Sequence, residues 1–67
     1  MSEFSVNGEP RDLNPGTTVN DVVRTLTASP DGCAVALNGA VVPRSSWPEQ
    51  PVAPGDRLEV LTAVQGG

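Results

Sequence analysis

Thr18-Val19-Asn20-Asp21-Val22-Val23-Arg24-Thr25-Leu26 decides the fold, because it carries helical spacing in a chain whose other apolar runs alternate with period two. Val19, Val22, Val23 and Leu26 fall at i, i+3, i+4 and i+7, one apolar stripe on a helix of about ten residues. Thr18 is placed to cap that helix, and Asp21 three residues on completes a shortened capping box. Asp is one methylene shorter than Glu, so the return bond from its carboxylate is the more demanding half. One amphipathic helix cannot bury its stripe alone, and the flanking sequence must supply a sheet.

Upstream, Glu3-Phe4-Ser5-Val6 alternates and runs into Asn7-Gly8, a two-residue hairpin signal because both positions tolerate positive φ. A returning strand through Arg11-Asp12-Leu13 follows, and Pro15-Gly16 turns the chain towards the helix. Downstream, Ser29-Pro30-Asp31-Gly32 ends the helix, Cys33 to Leu37 reads as a strand, and Asn38-Gly39 returns it through Val41-Val42. Pro43, Pro48, Pro51 and Pro54 then remove backbone donors and confine their stretch to turns, short helical turns and sheet edges. Trp47 within it is placed to seal one end of a small core, a commoner use of such an aromatic than stacking on a ligand.

Pro54-Gly55-Asp56 turns into a terminal strand, Arg57 to Val64. Leu58, Val60, Thr62 and Val64 share one face; Arg57, Glu59, Leu61 and Ala63 share the other. If the first face meets the helix, Leu61 and Ala63 look outward beside the chain's end as a candidate docking patch. The expected architecture is α+β, a mixed sheet of about five strands with one main helix packed on one face. Neither an internal repeat nor a low-complexity segment interrupts it, and the order of strands across the sheet stays open.

Sixty-seven residues make a single domain, 1–67, too small for an elaborate enclosed active site. The chain has no His, Tyr or Lys, one Cys and a formal net charge of −4, which removes the usual general bases, the Schiff-base amine and most metal constellations. Side-chain catalysis and a resident metal are therefore not expected. Four Arg against eight Asp and Glu argue against nucleic acid and favour a basic protein partner. Cys33 alternates with Val35 and Leu37 and reads as a buried small hydrophobe. One cysteine, no leader-like opening and no apolar run of about 20 residues point to the reducing cytoplasm and away from the membrane.

What chemistry remains lies at the end of the main chain. Gln65-Gly66-Gly67 closes the sequence on a glycyl carboxylate, and a terminus without side chains threads a channel too narrow for any Cβ. Residues 65–67 are expected to form a flexible tail. Gly67 is the candidate reacting residue and Gly66 supplies clearance; Leu61, Ala63 and Gln65 are the candidate partner-binding residues. An inert frayed end is the plain alternative.

Over essentially its whole length the chain resembles the ubiquitin-like β-grasp sulfur carriers. Val35-Ala36-Leu37-Asn38-Gly39, Val42-Pro43-Arg44, Trp47, Pro54-Gly55-Asp56 and Gly66-Gly67 resemble the bacterial thiamine-biosynthesis sulfur carriers of the ThiS family. Gly66-Gly67 and Pro54-Gly55-Asp56 are shared more widely among β-grasp carriers, whereas Val42-Pro43-Arg44 followed by Trp47, with the short length, points to the thiamine branch. The Asp21 position and the extra prolines Pro48 and Pro51 depart from the pattern and bear on loop geometry alone.

The resemblance implies a carrier protein rather than an enzyme. An adenylating enzyme of the ubiquitin-activating type would use ATP to convert the Gly67 carboxylate to an AMP anhydride. Sulfur from a desulfurase relay would displace AMP to leave a thiocarboxylate, and thiazole synthase would accept that sulfur for the thiazole ring. No cofactor is expected to stay bound. Three residues beyond Val64 reach at most about 10 Å, enough to enter another protein's site. Sulfur delivery to molybdopterin, conjugation to other proteins, and a binding-only module with an inert tail remain as alternatives. An iron-sulfur β-grasp protein is excluded, because one Cys cannot replace the four that hold a cluster.

Overall fold

The computed structural model describes residues 2–26 and 32–62. A hairpin of β1 (Glu3–Val6) and β2 (Glu9–Asp12) leads to α1 (Val19–Leu26). Then come β3 (Cys33–Leu37), β4 (Ala40–Val42), a 3₁₀ helix over Arg44–Glu49, and β5 (Arg57–Thr62). The strands form one five-stranded sheet in the order β2-β1-β5-β3-β4. β1 and β5 run parallel in its interior while the other pairs are antiparallel, so the sheet is mixed as expected.

The last strand is inserted between β1 and β3, a placement that local sequence does not reveal. Leu58 and Val60 of β5 are buried with Phe4 and Val6 of β1, Val35 of β3 and Val42 of β4. Val19, Val22 and Val23 of α1 pack onto them, completing one core with Trp47 and Val52. Leu26, the fourth member of the helical stripe, is half-buried against that core. Within the described residues α1 covers eight of the about ten residues expected; residues 27–31, which include the Ser29-Pro30-Asp31 part of its stop signal, lie outside them.

The return strand β2 begins two residues earlier than the spacing suggests, and all four of its residues are exposed. It is an edge strand beyond the reach of the helix. Val6 and Glu9 flank the two-residue turn as a bonded pair, so Pro10 opposite Ser5 falls where a strand's amide faces away from its neighbour. A missing N–H there breaks no rung, and it blunts the edge against pairing with another chain. Cys33 is half-buried against the core rather than buried, because it stands at the first position of β3.

The proline-rich stretch is stitched to the start of the helix. Val19 N–H donates to Gln50 O at 2.9 Å and Val52 N–H to Thr17 O at 3.0 Å, with a bridge between Thr18 and Pro51. Trp47 is 2% exposed, and its indole N–H donates to Val42 O at 2.9 Å. The ring therefore closes one end of the core, as its place in the sequence suggests, while its one polar atom is satisfied.

Candidate functional site

The candidate site begins where β5 runs out towards the C-terminus. Two turns set the start of that strand. Ala53-Pro54-Gly55-Asp56 is a type II turn, with Gly55 at φ +84° and Asp56 N–H donating to Ala53 O at 3.1 Å. Asp56 accepts from Ala53 N–H at 2.7 Å and from the Asn38 side-chain amide at 3.0 Å. The Pro-Gly-Asp motif thus ties the turn before β5 to the turn between β3 and β4.

Both Asn-Gly turns grip the same strand. Asn7 and Asn38 have φ of 52° and 51°, with Gly8 and Gly39 following at 85° and 87°, the two positive values that type I′ hairpins require. Asn38 N–H donates to Arg57 O at 2.8 Å and its Oδ1 accepts from Arg57 N–H at 2.9 Å. Asn7 N–H donates to Leu58 O at 2.9 Å; its side chain accepts from Val60 N–H at 2.9 Å and donates to Val60 O at 3.1 Å. One turn holds β5 along each of its two edges, Asn7 from the β1 flank and Asn38 from the β3 flank.

So fixed, β5 divides its side chains as its alternation dictates. Leu58 and Val60 face α1, and Leu61 is 70% exposed on the opposite face. There Leu61 stands directly across from Ala34 of β3. In the neighbouring row Ala36 lies between Glu59 on β5 and Val41 on β4, and Val41 is 78% exposed. Leu61, Ala34, Ala36 and Val41 make an apolar platform across three strands, with Arg57 and Glu59 beside it. The outward face of Leu61 follows the sequence reading. Val41 was missed, although the signal was available: once Val42 is assigned to the core, its neighbour must point away.

Ala63, Gln65, Gly66 and Gly67, the remaining sequence-derived candidates, lie outside the described residues. On the helix side, a concavity of about 420 Å³ opens between α1 and the β1–β2 hairpin. Phe4, Val6 and Val22 line it, with Arg11, Asp12 and Asp21 among its polar residues. Asp21 is engaged at the helix cap, and no nucleophile paired with a base stands there. Among the described residues no polar side chain is buried, no group of three or more potential ligands is placed to hold a metal ion, and no helix is long and apolar enough to cross a membrane.

A mixed five-stranded sheet with one main helix packed on one face defines the class of small ubiquitin-like β-grasp proteins. The ThiS family profile matches residues 4–67. The chain is 37% identical over 62 residues to the sulfur carrier protein ThiS of Thermus thermophilus, covering 92% of this chain and 95% of that protein. A crystal structure of the thiamine biosynthesis protein ThiS from Geobacter metallireducens superposes with a TM-score of 0.77 at 29% identity, over 97% of this chain and 99% of that one. A thiazole synthase of Paramagnetospirillum magneticum is 34% identical over 62 residues, 92% of this chain but 19% of that longer protein. The chain belongs to the ThiS family, the sulfur carriers of thiamine biosynthesis.

Proposed function

We propose that this carrier takes up sulfur at the Gly67 carboxylate and delivers it to thiazole synthase. The observation that carries the reading is the extent of the family match, residues 4–67, which runs through Gly66 and Gly67. A C-terminal carboxylate, with an ordinary pKa near 3.5, is ionised at neutral pH and repels nucleophiles, so it must be activated first. A Gly67 oxygen attacks the α-phosphorus of ATP on an adenylating enzyme, pyrophosphate departs, and an acyl-adenylate forms. Hydrosulfide displaces AMP to give the thiocarboxylate. Alternatively a persulfide from a desulfurase relay displaces AMP, and a thiol then reduces the acyl disulfide to the same product.

The folded body contributes binding and positioning rather than acid-base chemistry. Leu61, Ala34, Ala36 and Val41 offer the surface on which the activating enzyme and the acceptor dock in turn, while the chain end enters their sites. Tethering sulfur to a docked body raises its effective concentration at the acceptor. Thiazole synthase as acceptor is supported by the synthase relative, in which a region similar to this chain is part of the same polypeptide. That relative also favours the thiazole branch over molybdopterin. ATP is consumed by the partner, and the carrier keeps no cofactor of its own.

Incubating the chain with ATP, the adenylating enzyme and a sulfur donor is expected to raise its intact mass by the difference between sulfur and oxygen. An unchanged mass in the presence of demonstrably active partners would overturn the assignment.

A further inference from the structure

The parallel ladder between β1 and β5 extends one rung beyond the end of β1. Ser5 N–H donates to Asp56 O at 3.0 Å and Asn7 N–H to Leu58 O at 2.9 Å, the regular progression of a parallel pair. The next rung would need a carbonyl at residue 7 to accept from Val60 N–H and an amide at residue 9 to donate to Val60 O. Neither backbone group is there, because the chain turns back at Asn7 and Gly8. The Asn7 carboxamide supplies both, with Oδ1 accepting at 2.9 Å and Nδ2 donating at 3.1 Å. It is the side-chain equivalent of a peptide group.

That extra rung falls at a consequential place. On its other side β5 is paired with β3 from Leu58 to Thr62. At Val60 the strand is therefore held from both flanks. At Thr62, the next residue whose backbone faces the β1 side, the described residues offer only β3. Val60 is seven residues before Gly67 and one before the exposed Leu61. Among the described residues, the last point of two-sided support on β5 is therefore Val60, between the core and the docking platform.

We propose that Asn7 is a positioning residue for the reaction at Gly67: by clamping Val60 it fixes the direction in which the terminal strand leaves the sheet relative to the docked face. The inference rests on the carrier function proposed above. Docking through Leu61 and its neighbours does not involve Asn7, so the contribution of Asn7 falls on turnover and not on carrier affinity.

Asn7→Gly tests this cleanly, because glycine keeps the positive φ of the turn while deleting both side-chain bonds. Asn38→Gly is the matched control, the same change at the same turn position, removing two side-chain bonds at the beginning of β5 instead. In sulfur uptake with the adenylating enzyme, Asn7→Gly is expected to lower kcat about tenfold, as misplacement of a reacting group does, with KM for the carrier within about twofold of wild type. Asn38→Gly is expected to hold both constants within about twofold. Without any enzyme, hydrogen exchange at the Val60 amide is expected to rise about tenfold in Asn7→Gly and to stay near wild type in Asn38→Gly. Equal kcat losses in the two variants, an effect of Asn7→Gly on KM alone, or unchanged exchange at Val60 would each overturn the proposal. A wild-type chain that takes up no sulfur overturns the carrier function and with it this role, whereas normal uptake by Asn7→Gly overturns the role of Asn7 alone.

Discussion

Thr18 and Asp21 exchange hydrogen bonds across the first turn of α1. The Thr18 N–H donates to Asp21 Oδ2 at 3.0 Å, and the Asp21 N–H donates to Thr18 Oγ1 at 3.3 Å. The shorter acid closes the box in both directions, with the side-chain hydroxyl accepting the weaker bond. The eight described residues of α1 supply few internal bonds with which to offset the nucleation cost of a helix. Thr18→Ala is therefore expected to lower unfolding free energy by about 1 kcal/mol. Asp21→Asn, which keeps an acceptor but loses the charge at the helix start, should cost less, about 0.5 kcal/mol. Urea unfolding of the two variants measures both, and the reverse order would mean that charge outweighs the hydroxyl at this cap.

Trp47 permits a separation of packing from hydrogen bonding. Trp47→Ala empties the end of the core and is expected to cost about 3 to 5 kcal/mol, a large share of the stability available to a domain of this size. Trp47→Phe keeps most of the ring volume but leaves Val42 O without its indole donor in a buried setting. A loss of about 1 to 3 kcal/mol follows from that unpaired carbonyl and the smaller ring. Thermal unfolding followed by far-UV circular dichroism distinguishes the two. Indistinguishable Tm values for Trp47→Phe and wild type would show that the carbonyl finds water.

The features legible in the sequence are those written in local spacing. The stripe Val19, Val22, Val23 and Leu26, the Asn7-Gly8 and Asn38-Gly39 turns, and the division of β5 into buried Leu58 and Val60 against exposed Leu61 all depend on neighbours a few residues away. Sheet order does not. The parallel pairing of Val6 with Leu58 joins the two ends of the chain and is selected by total burial, to which no single segment testifies. The exposure of all of β2 follows from its edge position and is equally non-local. The Asn7 rung needs both the turn and the register of β5, so a turn dipeptide identifies the residue but not its second use. At the candidate site, the Gly66-Gly67 pair and a side-chain inventory without His, Tyr or Lys single out the terminus as the place to test, whereas the cargo came from a whole-chain likeness.

The platform around Leu61 should tolerate polar substitution without loss of fold. Leu61 and Val41 are both exposed, and threonine suits a strand, so Leu61→Thr and Val41→Thr are each expected to stay within about 0.5 kcal/mol of wild-type stability. Binding to the activating enzyme or to thiazole synthase should weaken more than about fivefold for Leu61→Thr, as for truncation of an apolar contact residue near the centre of an interface. Titration calorimetry with each purified partner measures the change. Unaltered affinity for both partners would remove Leu61 from the docking surface.

Deletion of Gly67 separates the terminus from the fold. The variant still ends in a glycyl carboxylate, that of Gly66, so the chemical group is conserved while its reach falls by about 3.5 Å. A partner site that demands a reacting carbonyl at one fixed distance from the docked platform will miss the shortened end, since a displacement of about 1 Å already costs up to about a hundredfold in rate. Sulfur uptake by intact mass is therefore expected to vanish, with an unchanged Tm and unchanged affinity for the activating enzyme. Gly66→Ala makes the complementary change, preserving length and carboxylate while adding one Cβ and narrowing the accessible backbone angles. Uptake in that variant is expected to fall at least about tenfold if the channel is as narrow as a two-glycine end implies. Full uptake by the deletion, or a substantial drop in its Tm, would assign the terminal glycines a structural part and move the reacting group elsewhere.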